Sequence, residues 1–309
     1  MRSVRSDQAE GLRRLLARTA LRVVTLLSGK SGVGKTTAAV NLACALARGG
    51  HDVLLIDENS AAGSGQPGSG NIGTALGLKA RYDLAQVIAG DASLEQALLP
   101  GPCGIRVLPA ARAAQALPLR DPAAGVRLID AFAGLAAPVD YVLIDCAGHD
   151  GSRLGGIDLG DSHDALIVLS RAASSITEAY ALIKRLNQQY GERHFHVLVN
   201  RVASEREALT IYRNMAQVAR GYLAVTLDFI GFVPPDEKLW QAHALSRALL
   251  ELFPNSQSAA SFRQLALTVA GWPAPQGPAV DLPTFAERLA VAGRLAPASM
   301  PLPRVSNFK

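Results

Sequence analysis

The chain has 309 residues and is 49% hydrophobic but only 5% aromatic, enough aliphatic material for one large α/β domain or two small ones. No run of about 18 apolar residues occurs, and the opening "MRSVRSDQAEGLRR" is too polar for a secretory leader, which argues against a membrane-spanning or exported chain and for a cytoplasmic one. The net charge is +5, and six arginines against Asp7 and Glu10 place +4 of it in residues 1–22, so the body is nearly neutral and carries no basic stripe for direct nucleic-acid contact.

Residues 1–20 read as an amphipathic arm with Leu12, Leu15 and Leu16 on one side and Arg13 and Arg14 beside them. Asp7 is placed to cap a helix. The segment is too short to be helical alone, and Gly11 costs it about 1 kcal/mol, so it is expected to order on a partner. The body then alternates short apolar runs with helical segments. "LRVVTLLS" (21–28), "HDVLLID" (51–57), "GIRVLP" (104–109), "VDYVLID" (139–145), "DALIVLS" (164–170), "FHVLVN" (195–200) and "LDFIGFVP" (227–234) read as strands, apolar on both faces. Residues 35–48, 122–136, 174–190 and 204–220 read as helices between them. This alternation predicts an α/β, three-layer fold with a mostly parallel sheet flanked by helices on both faces, and ligands at the carboxyl ends of the strands. Seven of the 17 prolines fall between 273 and 303, marking 272–309 as a tail in which 281–295 forms a short helix. The expected division is therefore an arm (1–20), a body (21–271) and a tail (272–309). Cys44, Cys103 and Cys146 have no metal-ligand spacing and read as reduced, mostly buried thiols.

Residues 29–36, "GKSGVGKT", match G-x-x-x-x-G-K-[ST] between a strand and a helix, the context that makes the motif a phosphate loop. Backbone N–H groups from Gly29 through Thr37 (Lys30, Ser31, Gly32, Val33, Gly34, Lys35 and Thr36 between them) would face phosphate oxygens. Lys35 is assigned to the β- and γ-phosphates of ATP and Thr36 to Mg²⁺. Asp145, ending an apolar strand, is the acid expected on the Mg²⁺ side.

The second lysine, Lys30, makes this loop resemble the deviant phosphate loop of the MinD/ParA ATPases, with Ser31 for that family's first glycine. The resemblance implies that Lys30 reaches a partner's nucleotide, so that ATP binding drives homodimer formation. It also implies that Asn200, with Arg201 next to it, recognises adenine, and that Pro234 opens a second base-contacting loop, "PPDE". Downstream, "DLAQVIAGDASLEQALLPGPCGIRVLPA" (83–110), "ASSITEAYALIKRLNQQYGERHFHVLVNRV" (173–202) and "FPNSQSAASFRQLA" (253–266) resemble the FlhG/FleN flagellar-number regulators. So does the arm, where residues 7–13, D-Q-A-E-G-L-R, match that family's D-Q-A-x-x-L-R. By that resemblance Asp7, Gln8, Ala9, Leu12 and Arg13 bind the SRP-type flagellar GTPase FlhF and stimulate it, Gln8 being nearest the chemistry. Flagellar transcription regulators and switch-complex proteins are the other partners implied.

The chain departs from the family at three places. The first switch normally carries D-x-D; here Asp57, a catalytic and metal-side candidate, is kept, but the second acid is Asn59, followed by a Gly/Ser-rich run from 61 to 71. An amide can hold a water but cannot take its proton, and Glu58, by strand alternation, faces the other way. A glycine-serine coil is expected to be flexible. The second switch reads "DCAGHDG" (145–151), in which His149 and Asp150 are either a new acid/base pair or a solvated polar loop. In the tail, Leu282, Phe285, Leu289 and Leu295 form a short stripe, read either as a weak peripheral membrane contact needing both copies of a dimer or as a chance pattern. ATP binding is expected to survive and hydrolysis to be weak or lost. Three functions follow: an ATP-dependent dimerising switch for flagellar number and placement, a nucleotide-bound scaffold without turnover, or a ParA-type relative acting on DNA or cellulose-synthesis machinery. The neutral body and the arm motif count against the third.

Overall fold

Strand β1 (Arg22–Leu27) is buried at all six positions, as a central strand between two helical layers must be. The computed structural model describes residues 21–59, 71–113, 122–147, 163–273 and 280–295. After β1 come α1 (Lys35–Arg48), β2 (Val53–Asp57), α2 (Ile72–Leu76), α3 (Leu84–Ala89), α4 (Leu94–Ala97) and the two-residue strand β3 (Leu99–Pro100). Next are β4 (Arg106–Pro109), α5 (Pro122–Ala133), β5 (Tyr141–Asp145), β6 (His163–Ser170), α6 (Ala173–Tyr190), β7 (His194–Asn200), α7 (Glu205–Tyr222) and β8 (Thr226–Val233). The chain continues through α8 (Glu237–Ala244), α9 (Leu249–Leu252), α10 (Gln257–Ala270) and α11 (Leu282–Leu295). The seven strands expected from the sequence all form, and β3, too short for a period-2 signal, joins them at one edge.

The sheet order is β3-β4-β2-β5-β1-β6-β7-β8, and only β3 runs antiparallel. One face packs on α3, α5, α6, α7 and α11 through residues such as Leu128, Phe132, Ile183 and Phe285. The other packs on α1, α2, α9 and α10 through Leu42, Leu46, Leu249 and Phe262. The result is the three-layer α/β fold expected. Cys44 and Cys146 are buried, while Cys103 is partly exposed.

Two features of this order build a site. β1 lies between β5 and β6, so the loop leaving β1 emerges where neighbouring connections diverge to opposite sides. β2 and β5 are parallel neighbours with Asp57 paired in register to Asp145, so both acids end their strands side by side.

The carboxyl-terminal division corrects the sequence reading. Leu21 N–H donates to the Val280 carbonyl at 2.9 Å, and α11 lies along α5, where Phe285 meets Phe132 edge to face at 5.8 Å between ring centres. Phe285 and Leu289 are buried and Leu282 is half-buried against the same core, so the body does not end at 271. Of the stripe read as available to a membrane, Phe285, Leu289 and half-buried Leu282 face the protein's own core, because apolar surface gains more by docking on α5 than by facing water. Among the described residues, no helix is long and apolar enough to cross a membrane. The arm (Asp7, Gln8, Ala9, Leu12 and Arg13), the 61–70 part of the first switch, and His149 and Asp150 lie outside the described residues.

Candidate nucleotide site

The loop from Ser28 to Gly34 takes its shape from two glycines in the left-handed region, Gly32 (φ 75°) and Gly34 (φ 94°). Gly29 is required for a different reason. A Cβ there would lie 2.2 Å from the Glu178 carbonyl carbon, so only glycine lets the loop rest against the α6 backbone. Val33 is buried beneath the loop, while Ser31 and Gly32 are exposed. α1 starts at Lys35 with no side-chain cap and no acid in its first turn, so no acid of its own offsets its positive end. Among the described residues other than its chain neighbours, no heavy atom lies within 4 Å of the Cβ position of Gly32. This uncapped cradle fits phosphate groups.

Asp145 is the hub. It is fully buried, and one of its oxygens accepts from the Lys35 ammonium, which also donates to the Cys146 carbonyl. The other oxygen accepts from Thr36 Oγ1 at 2.7 Å and from Asn59 Nδ2 at 2.9 Å. Burial works to lower the Lys35 pKa, but the Asp145 carboxylate, with Cys146 and Glu58 behind it, outweighs burial and holds the ammonium above its ordinary value. Lysine, threonine and aspartate thus converge as a site for phosphate and a hard divalent cation requires.

Asp57 accepts from the Asn59 backbone N–H at 3.0 Å and its side-chain amide at 3.3 Å on one oxygen, and from the Ile72 N–H at 2.7 Å on the other. Burial, then the neighbouring Asp145 charge, pushes its pKa up to about 7 against those hydrogen bonds. Asn59 is therefore a bridge between two carboxylates rather than a residue displaced into solvent. Glu58 corrects the alternation argument. β2 ends at Asp57, so the period no longer governs position 58, and Glu58 Oε2 accepts from the Ala147 N–H at 3.0 Å within the charge field of Lys35. The signal was the strand end itself.

Lys30 stands apart from this hub. Its ammonium donates to Ser174 Oγ at 2.7 Å, at the start of α6. Thr37 gives its carbonyl to Asn41 Nδ2 at 2.9 Å, and Asn41 in turn accepts from the Leu249 N–H, tying α1 to α9. Asn200, buried at the end of β7, donates to the Val33 carbonyl at 2.7 Å and so braces the phosphate loop. Next to it Arg201 has a left-handed backbone (φ 59°) and its guanidinium sits 5.9 Å from the Trp240 ring centre. Pro234 is buried and accepts from Ser258 Oγ at 3.0 Å. The fold thus brings Gly29 to Thr37, Asp57, Asn59, Asp145 and Asn200 to one end of the sheet, with Arg201 and Pro234 following adjacent strands.

Residues 24–248 match the CobQ/CobB/MinD/ParA nucleotide binding domain. The chain is similar to the antiactivator FleN of Pseudomonas aeruginosa, with 36% identity over 269 residues, covering 87% of this chain and 93% of that protein. It is 26% identical to the flagellum site-determining protein YlxH of Helicobacter pylori over 79% of this chain and 80% of that one. Among solved structures, the MinD cell division protein of Aquifex aeolicus superposes with a TM-score of 0.59 at 25% identity, covering 83% of this chain and all of that one.

Proposed function

The chain belongs to the CobQ/CobB/MinD/ParA nucleotide-binding family and to its FleN/FlhG branch, and from that premise we propose that it is an ATP-binding, dimerising switch controlling flagellar number and placement, with slow or absent turnover. The observation that carries the reading is the sharing of Asp145 by Lys35, Thr36 and Asn59. Lys35, the loop N–H groups and the start of α1 bind the phosphates. Thr36, Asp145 and Asp57 hold the Mg²⁺ side. Asn200, Arg201 and Pro234 take the base. Bound ATP·Mg²⁺ would supply the phosphoanhydride and neutralise its charge. The chain's own part is to orient those groups and a water, and here the residue beside that water is an amide, which has no basic site to take a proton. This favours a nucleotide-held binding module over an active hydrolase.

Lys30, partnered by a hydroxyl and not an acid, supports a role across a homodimer interface. The D-Q-A-E-G-L-R arm supports engagement of an SRP-type flagellar GTPase through Gln8. Contact with a membrane surface would require α11 to leave α5. The test is phosphate release by the purified chain with ATP and Mg²⁺, with and without lipid vesicles, beside Asn59→Asp. Tight ATP binding with little release, rising in the variant, is expected. Brisk release by the wild type would overturn the assignment of Asn59, and no nucleotide binding would overturn the whole reading.

A further inference from the structure

At the amino-terminal ends of β6, β7 and β8 lies a second polar cluster that the nucleotide chemistry does not use. His194 and His196 are two apart on β7 and so face the same side of the sheet. Asp228 on β8 is the register partner of His196. His194 Nε2 is 2.6 Å from Asp228 Oδ2, and the two imidazole centres are 4.8 Å apart. One ligand atom from each of the three residues lies within 4.8 Å of the others.

His196 is held as a ligand would be. It is 5% exposed, and the Trp272 indole stacks on it at 3.7 Å with the planes 11° apart. Its Nε2 approaches Asp164 Oδ1 at 3.4 Å, and Asp164 is in turn paired with Arg22. A carboxylate behind one imidazole nitrogen is the usual means of orienting a metal-binding histidine. The other nitrogen, Nδ1, is buried and has no hydrogen-bond partner among the described residues. A buried polar atom left unpaired costs stability unless something else satisfies it.

We propose that His194, His196 and Asp228 bind one divalent transition-metal ion of the zinc class. Two imidazoles and one carboxylate are the donor set such ions prefer, and three protein ligands leave a position for water. Mg²⁺, which prefers oxygen ligands, is not the ion for this site. Along β7 its two histidines lie about 13 and 20 Å from Asn200, so the metal acts apart from the nucleotide. It joins β7 to β8 and, through the Trp272 ring stacked on His196, holds the residue that follows α10 against the sheet.

The test uses the full chain, cleared of metal with chelator, in a Trp240→Phe background that leaves Trp272 as its single indole. Zinc chloride alone is titrated in while Trp272 emission and heat are followed. One ion per chain at low micromolar affinity or tighter, with a change in Trp272 emission, is expected. His194→Ala and Asp228→Asn should each weaken binding by at least about tenfold. Both side chains are 52% exposed, so the variants should keep the parent's melting temperature without metal. Absence of binding, binding unchanged by both variants, or binding that leaves Trp272 emission unchanged would overturn the proposal.

Discussion

Asn59 donates its side-chain amide to Asp145 Oδ2 at 2.9 Å, the same oxygen that accepts from Thr36. An aspartate at position 59 would replace that donor with a third carboxylate facing Asp57 and Asp145. Without nucleotide, Asn59→Asp is therefore expected to destabilise the chain by about 1–3 kcal/mol, the cost of turning a made hydrogen bond into repulsion. With ATP and Mg²⁺ the cation offsets the added charge and the new carboxylate can accept a proton, so phosphate release should rise by about 100-fold or more. Melting curves and phosphate release on the same preparation check both halves.

The two lysines should separate stability from assembly. Lys35→Ala leaves a fully buried Asp145 without its cation. Breaking a buried pair costs about 3–5 kcal/mol, toward the lower end here since Thr36 and Asn59 still donate, and nucleotide binding should be lost. Lys30 donates to Ser174 at the exposed start of α6. Lys30→Ala should leave the melting temperature and monomer nucleotide affinity nearly unchanged, within about 0.5 kcal/mol, while abolishing ATP-dependent dimers in light scattering.

Much of this site was legible because its parts are local. A glycine-rich loop between a buried strand and a helix carries its own signature, and an acid at the end of an apolar strand needs only the strand to place it. What was not legible depended on neighbours. Glu58 lies one residue past the end of β2, where alternation gives no guidance, and only the fold shows that it reaches Ala147. The stripe of α11 has the same spacing whether it meets lipid or Phe132, so periodicity could not choose. The amide of Asn200 also braces the Val33 carbonyl, a contact between residues 167 apart in sequence that no local pattern shows.

Asp57 predicts a pH dependence of stability. Its folded pKa is raised to about 7 by burial and by Asp145, above the unfolded value of about 3.9. Between those two values the folded chain holds a proton that the unfolded chain has released, so stability falls as pH rises through the window and levels off above about 7. The same ionisation builds the negative charge that attracts Mg²⁺. Melting temperature without nucleotide should therefore fall between about pH 5 and 8 by more in the wild type than in Asp57→Asn, and added ATP·Mg²⁺ should stabilise the wild type more at pH 8 than at pH 6. An unchanged slope in the variant would remove Asp57 as its source.

Docking of α11 sets the last prediction. Phe285 is fully buried and meets Phe132 edge to face. Phe285→Ala should cost about 3–5 kcal/mol, read as a lowered urea midpoint. If α11 serves only the fold, neither form will float with anionic vesicles, whatever nucleotide is present. If its face is exchanged between α5 and lipid, the wild type will float only with ATP, when two copies act together. Phe285→Ala would then float less even with ATP, because the lost ring also removes apolar area that the lipid would cover. Glu287, exposed on the same helix and off the buried stripe, gives the control: Glu287→Ala should leave the urea midpoint within about 0.5 kcal/mol of the wild type.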